Sequence, residues 1–406
     1  APVGRDMNEP VQREDPAAAC GAHQPASQVS KPAATALPLS LDDYAARAAQ
    51  VLDENARAYV DGGAGDEHSL RANRRAWADW TLRPRVLRDL SQAHTRVELL
   101  GQNLDHPLLL APVAHQRLFH PDAEFASALA AAAQGAGYVL SAQASVPLEQ
   151  VANLVRHEAG RGPLWFQLVL PHDRGFTRAL LARVASAGFE ALVLTVDAPI
   201  NGVRDRERRA GFRLPSGIRA VNLDGLPPHP AQAADGGGVF ERWMASAARW
   251  RDLGWLLEQT HLPVLLKGVL HSEDACMAIE HGVSGLIVSN HGGRTLDGAM
   301  ATADALGPIV QAVAGRVPVL VDGGIRRGVD VLRACALGAR AVLLGRPQVH
   351  ALACAGAAGV AHMIRLLRDE LETAMALCGC ASLDESHSVL APTVRHAHAD
   401  WNLPSR

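Results

Sequence analysis

Aromatic residues are scarce. Trp, Tyr and Phe make up 4% of the 406 residues, too few for a surface on which successive bases stack. Cysteine is scarce as well. Six residues, Cys20, Cys276, Cys335, Cys354, Cys378 and Cys380, cannot staple a chain of this length. Cys378-Gly379-Cys380 has no second cysteine pair or histidine cluster at zinc-site spacing. The expectation is reduced thiols, a cytoplasmic location and no metal. An excess of one charge is also missing: 39 Lys plus Arg against 42 Asp plus Glu leaves −3. That removes any global electrostatic case for nucleic acid or an anionic lipid surface. No run of 18 apolar residues occurs, the first residues carry no apolar signal core, and no basic amphipathic anchor is seen. Neither a membrane nor a nucleic-acid partner is expected.

What is present suits a globular domain. Hydrophobic residues reach 48% and charged ones 20%, enough apolar matter for a large core. Residues 1–36, rich in Ala, Pro, Gln and Ser, read as a flexible tail, 37–390 as one domain and 391–406 as a C-terminal tail. A helix is expected to open near Leu41, capped by Ser40 or Asp42. The glycines of 62–65 break the chain before another helix starts at His68.

After residue 105 the sequence alternates short apolar runs with Ala-rich amphipathic stretches such as 123–135, 176–187 and 329–337. Eight runs stand at 107–112, 138–141, 164–170, 191–197, 263–268, 285–291, 318–324 and 341–347. Near-continuous Val, Leu and Ile over four to seven residues is the pattern of parallel strands buried on both faces. Eight strand–helix units in series predict an α/β fold, a (β/α)8 barrel with an N-terminal helical segment. A doubly wound sheet is the alternative. The connection between the fourth and fifth runs, 198–262, is Pro- and Gly-rich and overlong, and residues 206–240 read as a mobile lid over the active-site face.

Catalytic groups of such barrels stand at the carboxyl ends of the strands. There the fourth run ends in Thr195-Val196-Asp197, the fifth in Lys267-Gly268 and the sixth in Ser289-Asn290-His291-Gly292-Gly293-Arg294. The seventh ends in Asp322-Gly323-Gly324-Ile325-Arg326, and the eighth in Gly345-Arg346. Glycine turns followed by arginine suit a phosphate, because backbone N–H groups can approach the anion and a guanidinium can clamp it. His291 can take a proton near neutral pH, Arg294 can hold a carboxylate beside it, and Asp197 can orient the imidazole. Lys267 suits a developing negative charge.

The stretch 289–297, Ser-Asn-His-Gly-Gly-Arg-Thr-Leu-Asp, resembles the signature of the FMN-dependent α-hydroxy acid oxidase/dehydrogenase family, which includes glycolate oxidase, lactate oxidase and mandelate dehydrogenase. The resemblance covers about residues 40–385 and extends to Tyr59 with Gly62-Gly63-Ala64, Leu110-Ala111-Pro112, Phe166-Gln167-Leu168, Thr195–Pro199 and the three later strand ends. It implies a TIM barrel holding FMN. The phosphate would meet Gly324, Arg326, Gly345 and Arg346, and the isoalloxazine would meet Ser141, Gln167 and Thr195, with Ala114 near N5. Ala111, Pro112, Ser289 and Asp322 belong to the same cofactor-binding set. Lys267 would stabilise the reduced flavin, His291 would be the base with Asp197 as partner, and Arg294, Arg204 and Tyr59 would hold the substrate carboxylate. A small-molecule substrate, oxygen or another electron acceptor, and a homo-oligomer, often a tetramer, follow from the resemblance.

Three positions depart from the family pattern. Val169 replaces the tyrosine that usually follows Phe-Gln-Leu, and Gln143 and Asn201 stand where bulky apolar residues are common. The expected activity is therefore oxidation of a 2-hydroxy acid to the 2-oxo acid in an atypical, polar substrate pocket. The same flavin machinery acting on a larger or non-standard hydroxy or amino compound is the alternative. A flavin-binding homologue without turnover is a third reading, opposed by the intact His291, Arg294, Arg204 and Lys267.

Overall fold

In the computed structural model, residues 37–230, 238–244 and 247–391 are described. The expected tail at 1–36, all but the first residue of the tail expected at 391–406, and residues 231–237 of the proposed lid lie outside the described residues.

The eight apolar runs form the eight strands of a closed parallel barrel. They are β1 Leu108–Leu110, β2 Gly137–Ser141, β3 Leu164–Leu168, β4 Ala191–Thr195, β5 Val264–Val269, β6 Gly285–Val288, β7 Val319–Asp322 and β8 Ala341–Leu344. Closure runs through β8, which pairs in parallel with β1 from Val342↔Leu108 to Leu344↔Leu110. Every strand residue except Gly268 is buried, because inward side chains fill the barrel while outward ones meet helices. That double burial explains why the runs are continuous rather than alternating.

Each strand stops where its apolar run gives way to polar or glycine residues. The β5–β6 register slips between Lys267 and Val269, and Gly268 absorbs the irregularity at φ 112. A side chain there would put its Cβ 2.6 Å from Asp197 Cβ. Only glycine lets the end of β5 lie this close to the end of β4.

Among the described residues, three helices precede the barrel. Ser40, not Asp42, caps α1 (Leu41–Val51) by accepting from Asp43 N at 3.1 Å. Asp53 caps α2 (Glu54–Asp61) through Ala56 N at 2.7 Å. Helix α3 (His68–Asp79) starts as expected and leans on the barrel mouth. Asn73 and Asn290 exchange amide hydrogen bonds of 2.7 and 2.8 Å, and Trp77 Nε1 donates to Gly323 O at 2.7 Å.

A hairpin and the length of the last helix had no counterpart in the sequence reading. The hairpin pairs Val97–Leu99 with Gln102–Leu104 and takes a hydrogen bond from Arg340, the residue entering β8. The last helix, α4 (Arg346–Cys378), runs 33 residues with a kink at Ala355–Gly356. By length and composition it could cross a bilayer, and half of its apolar window is buried in the protein. Val349, Leu352, Val360, Met363, Ile364 and Leu367 form part of the core, so its apolarity is accounted for by packing.

The connection after β4 is anchored in its first part. Asn55 and Arg213 exchange side-chain-to-backbone hydrogen bonds of 2.9 and 3.0 Å. Phe212 stacks on Tyr59 at 4.9 Å between ring centroids, and Arg206 pairs with Glu67 at 2.6 Å. The part of the expected lid nearest the reaction centre is thus held against α2.

Candidate active site

The strand ends surround one cavity of about 1590 Å³. Single small-ligand sites run to roughly 300–1,000 Å³, so this one has room for a cofactor and a substrate together. Of the residues singled out from the sequence, Tyr59, Ala111, Pro112, Ala114, Ser141, Gln143, Gln167, Val169, Thr195, Asn201, Arg204, Lys267, His291, Arg294, Asp322, Gly324, Arg326, Gly345 and Arg346 all line it. Asp197 and Ser289 do not. Each sits directly behind a lining residue and is hydrogen-bonded to it.

His291 follows β6 on a turn with left-handed backbone at His291 (φ 56), Gly292 and Gly293. For histidine this conformation costs on the order of 1–3 kcal/mol. The bond from His291 N to Ser289 Oγ (3.1 Å) and that from Gly293 N to Asn290 Oδ1 (3.1 Å) hold it. The imidazole presents Nδ1 to Asp197 Oδ1 at 2.9 Å. Burial works to raise the Asp197 pKa, but the His291 hydrogen bond, the imidazole charge and Lys267 outweigh it and hold the carboxyl below the usual range. Nδ1 is therefore committed to a carboxylate, which leaves Nε2 for the cavity.

Lys267, at the end of β5, is buried between Ser289 Oγ (2.8 Å) and Asp322 Oδ2 (2.9 Å). Burial works to lower its pKa; Asp322 and Asp197 win and keep the amine above its usual value. Asp322 Oδ1 is buried without a hydrogen-bond partner. Across the mouth a rail of side chains links neighbouring strands: Ser141 Oγ donates to Gln167 Oε1 (2.9 Å) and Gln167 Nε2 to Thr195 Oγ1 (3.1 Å). Parallel register puts Ser141 beside Gln167, and Thr195 beside Lys267.

Arg294 lies over the Tyr59 ring, 5.0 Å from its centroid. Its Nη1 donates to the carbonyls of Tyr59 and Gly62, and Arg204 Nε donates to the Arg294 carbonyl at 3.3 Å. Burial and the nearby Arg204 lower the Arg294 pKa. Burial raises that of Tyr59, whose phenol stays protonated.

Arg326 and Arg346 also line the mouth, and Arg346 shares the Gly62 carbonyl with Arg294. Burial and repulsion by neighbouring arginines bring them down to about 10 and about 9, so both are cations at neutral pH. Neither is in a salt bridge among the described residues, a costly arrangement unless an anion completes it. Gly345 opens onto the same space, with Ala111 Cβ, at 4.0 Å, the nearest atom to where a side chain would begin. These residues fit a phosphate. Arg346 has a further task that was not legible: Nε, Nη1 and Nη2 donate to the carbonyls of Val60, Gly292 and Gly62 at 2.8–2.9 Å. It ties the N-terminal segment to the histidine turn.

Gln143, Val169 and Asn201 stand exposed on the cavity wall. The two amides are not buried, and their side chains make no hydrogen bond among the described residues. His115, another residue the sequence reading passed over, lines the cavity 8% exposed with Nδ1 unpartnered.

Residues 48–391 match the family described as FMN-dependent dehydrogenase. The chain is 50% identical over 355 residues to an L-lactate oxidase of Alicycliphilus denitrificans, with 86% of this chain and 96% of the relative covered. It is 40% identical over 370 residues to glycolate oxidase of Spinacia oleracea, with 90% and 97% covered. A solved structure of mandelate oxidase with benzoyl-formic acid superposes with a TM-score of 0.78 at 42% identity, covering 87% of this chain and 98% of that one. With the barrel, the cations Arg326 and Arg346 and the His291–Asp197 dyad, these matches show that the chain belongs to the FMN-dependent dehydrogenase family.

Proposed function

We propose that the protein oxidises a 2-hydroxy acid to the 2-oxo acid, with oxygen as the final electron acceptor. The observation that carries this is the His291 imidazole, held at Nδ1 by Asp197, on the same cavity wall as Arg204 and Arg294. FMN, when bound, takes up the two electrons that leave the substrate's C2. Arg204, Arg294 and the Tyr59 hydroxyl hold the carboxylate and so place C2 before His291. Nε2 of His291 takes a proton from the reacting C2–OH unit, and Asp197 stabilises the imidazolium that forms. Lys267 supplies positive charge where negative charge develops. Arg326, Arg346 and the open backbone at Gly345 would hold the cofactor phosphate, and Ser141, Gln167 and Thr195 its ring edge.

The test is anaerobic mixing with substrate. His291→Ala should retain FMN and lose flavin reduction by on the order of 10²–10⁴-fold; reduction at the parental rate would remove His291 as the base.

The finer reading concerns the substrate's side chain. Val169 is 43% exposed to the cavity and cannot donate the hydrogen bond of a tyrosine, while the uncommitted amides of Gln143 and Asn201 face the same space. This supports a side chain that is larger than methyl and polar. Val169→Tyr should then depress turnover of large polar 2-hydroxy acids and leave glycolate or lactate little changed. A clear gain on the small acids would favour lactate-like substrates instead. Assembly as a homo-oligomer is part of the proposal. Val86 and Leu87 are 80% and 103% exposed, Leu87 at φ 58, an apolar turn that a second copy would cover. Sedimentation of the holoenzyme tests it.

A further inference from the structure

The arginines assigned to the substrate carboxylate already share a carboxylate of the protein. Glu207 belongs to the short helix Asp205–Arg209 in the connection after β4. Its Oε1 lies 3.1 Å from Arg294 Nη2 and 3.3 Å from Arg204 Nη1, and its side chain is 15% exposed. In the sequence it is one charge within Asp-Arg-Glu-Arg-Arg, which reads as a solvated run. The fold turns this one inward, while Arg208 and Arg209 stay 69% and 79% exposed.

Two neighbouring cations of the mouth are each matched by one carboxylate. Lys267 has Asp322, and His291 has Asp197. Arg204 and Arg294 are two cations with one anion, a group of net charge +1. Donors remain for a ligand, since Arg204 Nη2 and Arg294 Nε make no hydrogen bond among the described residues. A bound carboxylate can therefore sit beside Glu207 without displacing it.

We propose that Glu207 is a specificity-determining residue: by cancelling one of the two guanidinium charges it matches the site to a substrate with a single carboxylate and penalises one with a second negative charge nearby. The inference rests on Arg204 and Arg294 being the carboxylate site. Its physical basis is that the repulsion between Glu207 and a ligand scales with the ligand's charge, in a site too enclosed for water to screen it fully.

Oxamate and oxalate are near-isosteric and differ by one charge, and each can be titrated against the holoenzyme by its perturbation of the flavin spectrum, without turnover. In Glu207→Gln, which keeps the shape and loses the charge, oxamate should tighten on the order of tenfold and oxalate by about the square of that. The oxalate-to-oxamate preference thus rises about tenfold. Glu207→Asp, still charged, should keep the wild-type preference even if both ligands weaken. Glu207→Ser supplies a second uncharged variant, expected to move the preference as Gln does, should Gln fail to fold. Equal weakening of both ligands in the uncharged variants would make Glu207 a structural strut and overturn the proposal. If neither ligand perturbs the wild-type flavin, the carboxylate site itself is wrong and the proposal falls with it.

Discussion

Ser289 never reaches the cavity, yet its hydroxyl meets two groups that do. Oγ lies 2.8 Å from Lys267 Nζ and accepts from the backbone N–H of His291 at 3.1 Å. Ser289→Ala removes the oxygen from both. A lost hydrogen bond to a buried charged group costs about 1.5–3 kcal/mol, so flavin reduction by substrate should slow roughly tenfold to a hundredfold, with FMN retained. Stopped-flow reduction beside a flavin-content assay measures both. Asp197 carries a pH dependence of known sign. Its folded-state pKa lies below the ordinary value because the His291 contacts and Lys267 outweigh burial. The ionised dyad therefore adds stability above the usual carboxylate range, near pH ~4, and the addition is lost as pH falls through the folded value. Thermal unfolding of wild type should weaken in acid more steeply than that of Asp197→Asn; parallel curves would contradict the assignment.

At the scale of elements, the turn that carries His291 is held by a helix some 200 residues away in the chain. Asn73 of α3 and Asn290 satisfy each other's amides, and Asn290 also donates to Met300 O and accepts from Gly293 N. Asn73→Ala leaves buried polar atoms unpaired, at about 1–3 kcal/mol. It should lower the unfolding midpoint and raise hydrogen exchange at 290–294 relative to the rest of the barrel. The barrel strands were legible because burial on both faces writes a continuous apolar run; six of the eight expected runs contain their strands whole, while β2 begins one residue early at Gly137 and β5 ends one residue late at Val269. Ser40 and the His68 start were legible from local capping and glycine rules. The Asn73–Asn290 exchange, the carbonyl cage around Arg346 and the inward turn of Glu207 were not. Each joins residues far apart in the chain, and neither periodicity nor spacing encodes which polar residue finds which partner. The hairpin at 97–104 escaped notice because strands of three residues are too short for an alternation to register.

For the molecule as a whole, Arg346, proposed to hold the cofactor phosphate, also serves the architecture. Arg326→Ala with Arg346→Ala should strip FMN, since a dianionic phosphate loses both side-chain partners; full flavin occupancy in the purified double variant would remove the phosphate assignment. Arg346→Ala alone should do more than weaken FMN. It also frees the carbonyls of Val60, Gly62 and Gly292, so the apoprotein itself should melt earlier. Limited proteolysis should cut the connection after β4 beyond its anchored part, C-terminal to Phe212, before any barrel helix, with substrate analogues slowing the cut.

The burial of Lys267 has a practical side. The whole sequence contains two lysines, Lys31 and Lys267, so the ammonium salt-bridged to Asp322 is one of just two side-chain amines an acylating reagent can find. With Lys267 4% exposed, its modification, followed peptide by peptide in a mass spectrometer, becomes a clock for how often the mouth of the barrel opens. Flavin should slow that clock, and a carboxylate ligand should slow it further, giving a kinetic footprint of the reaction centre from a reagent that elsewhere in the chain has almost nothing to label.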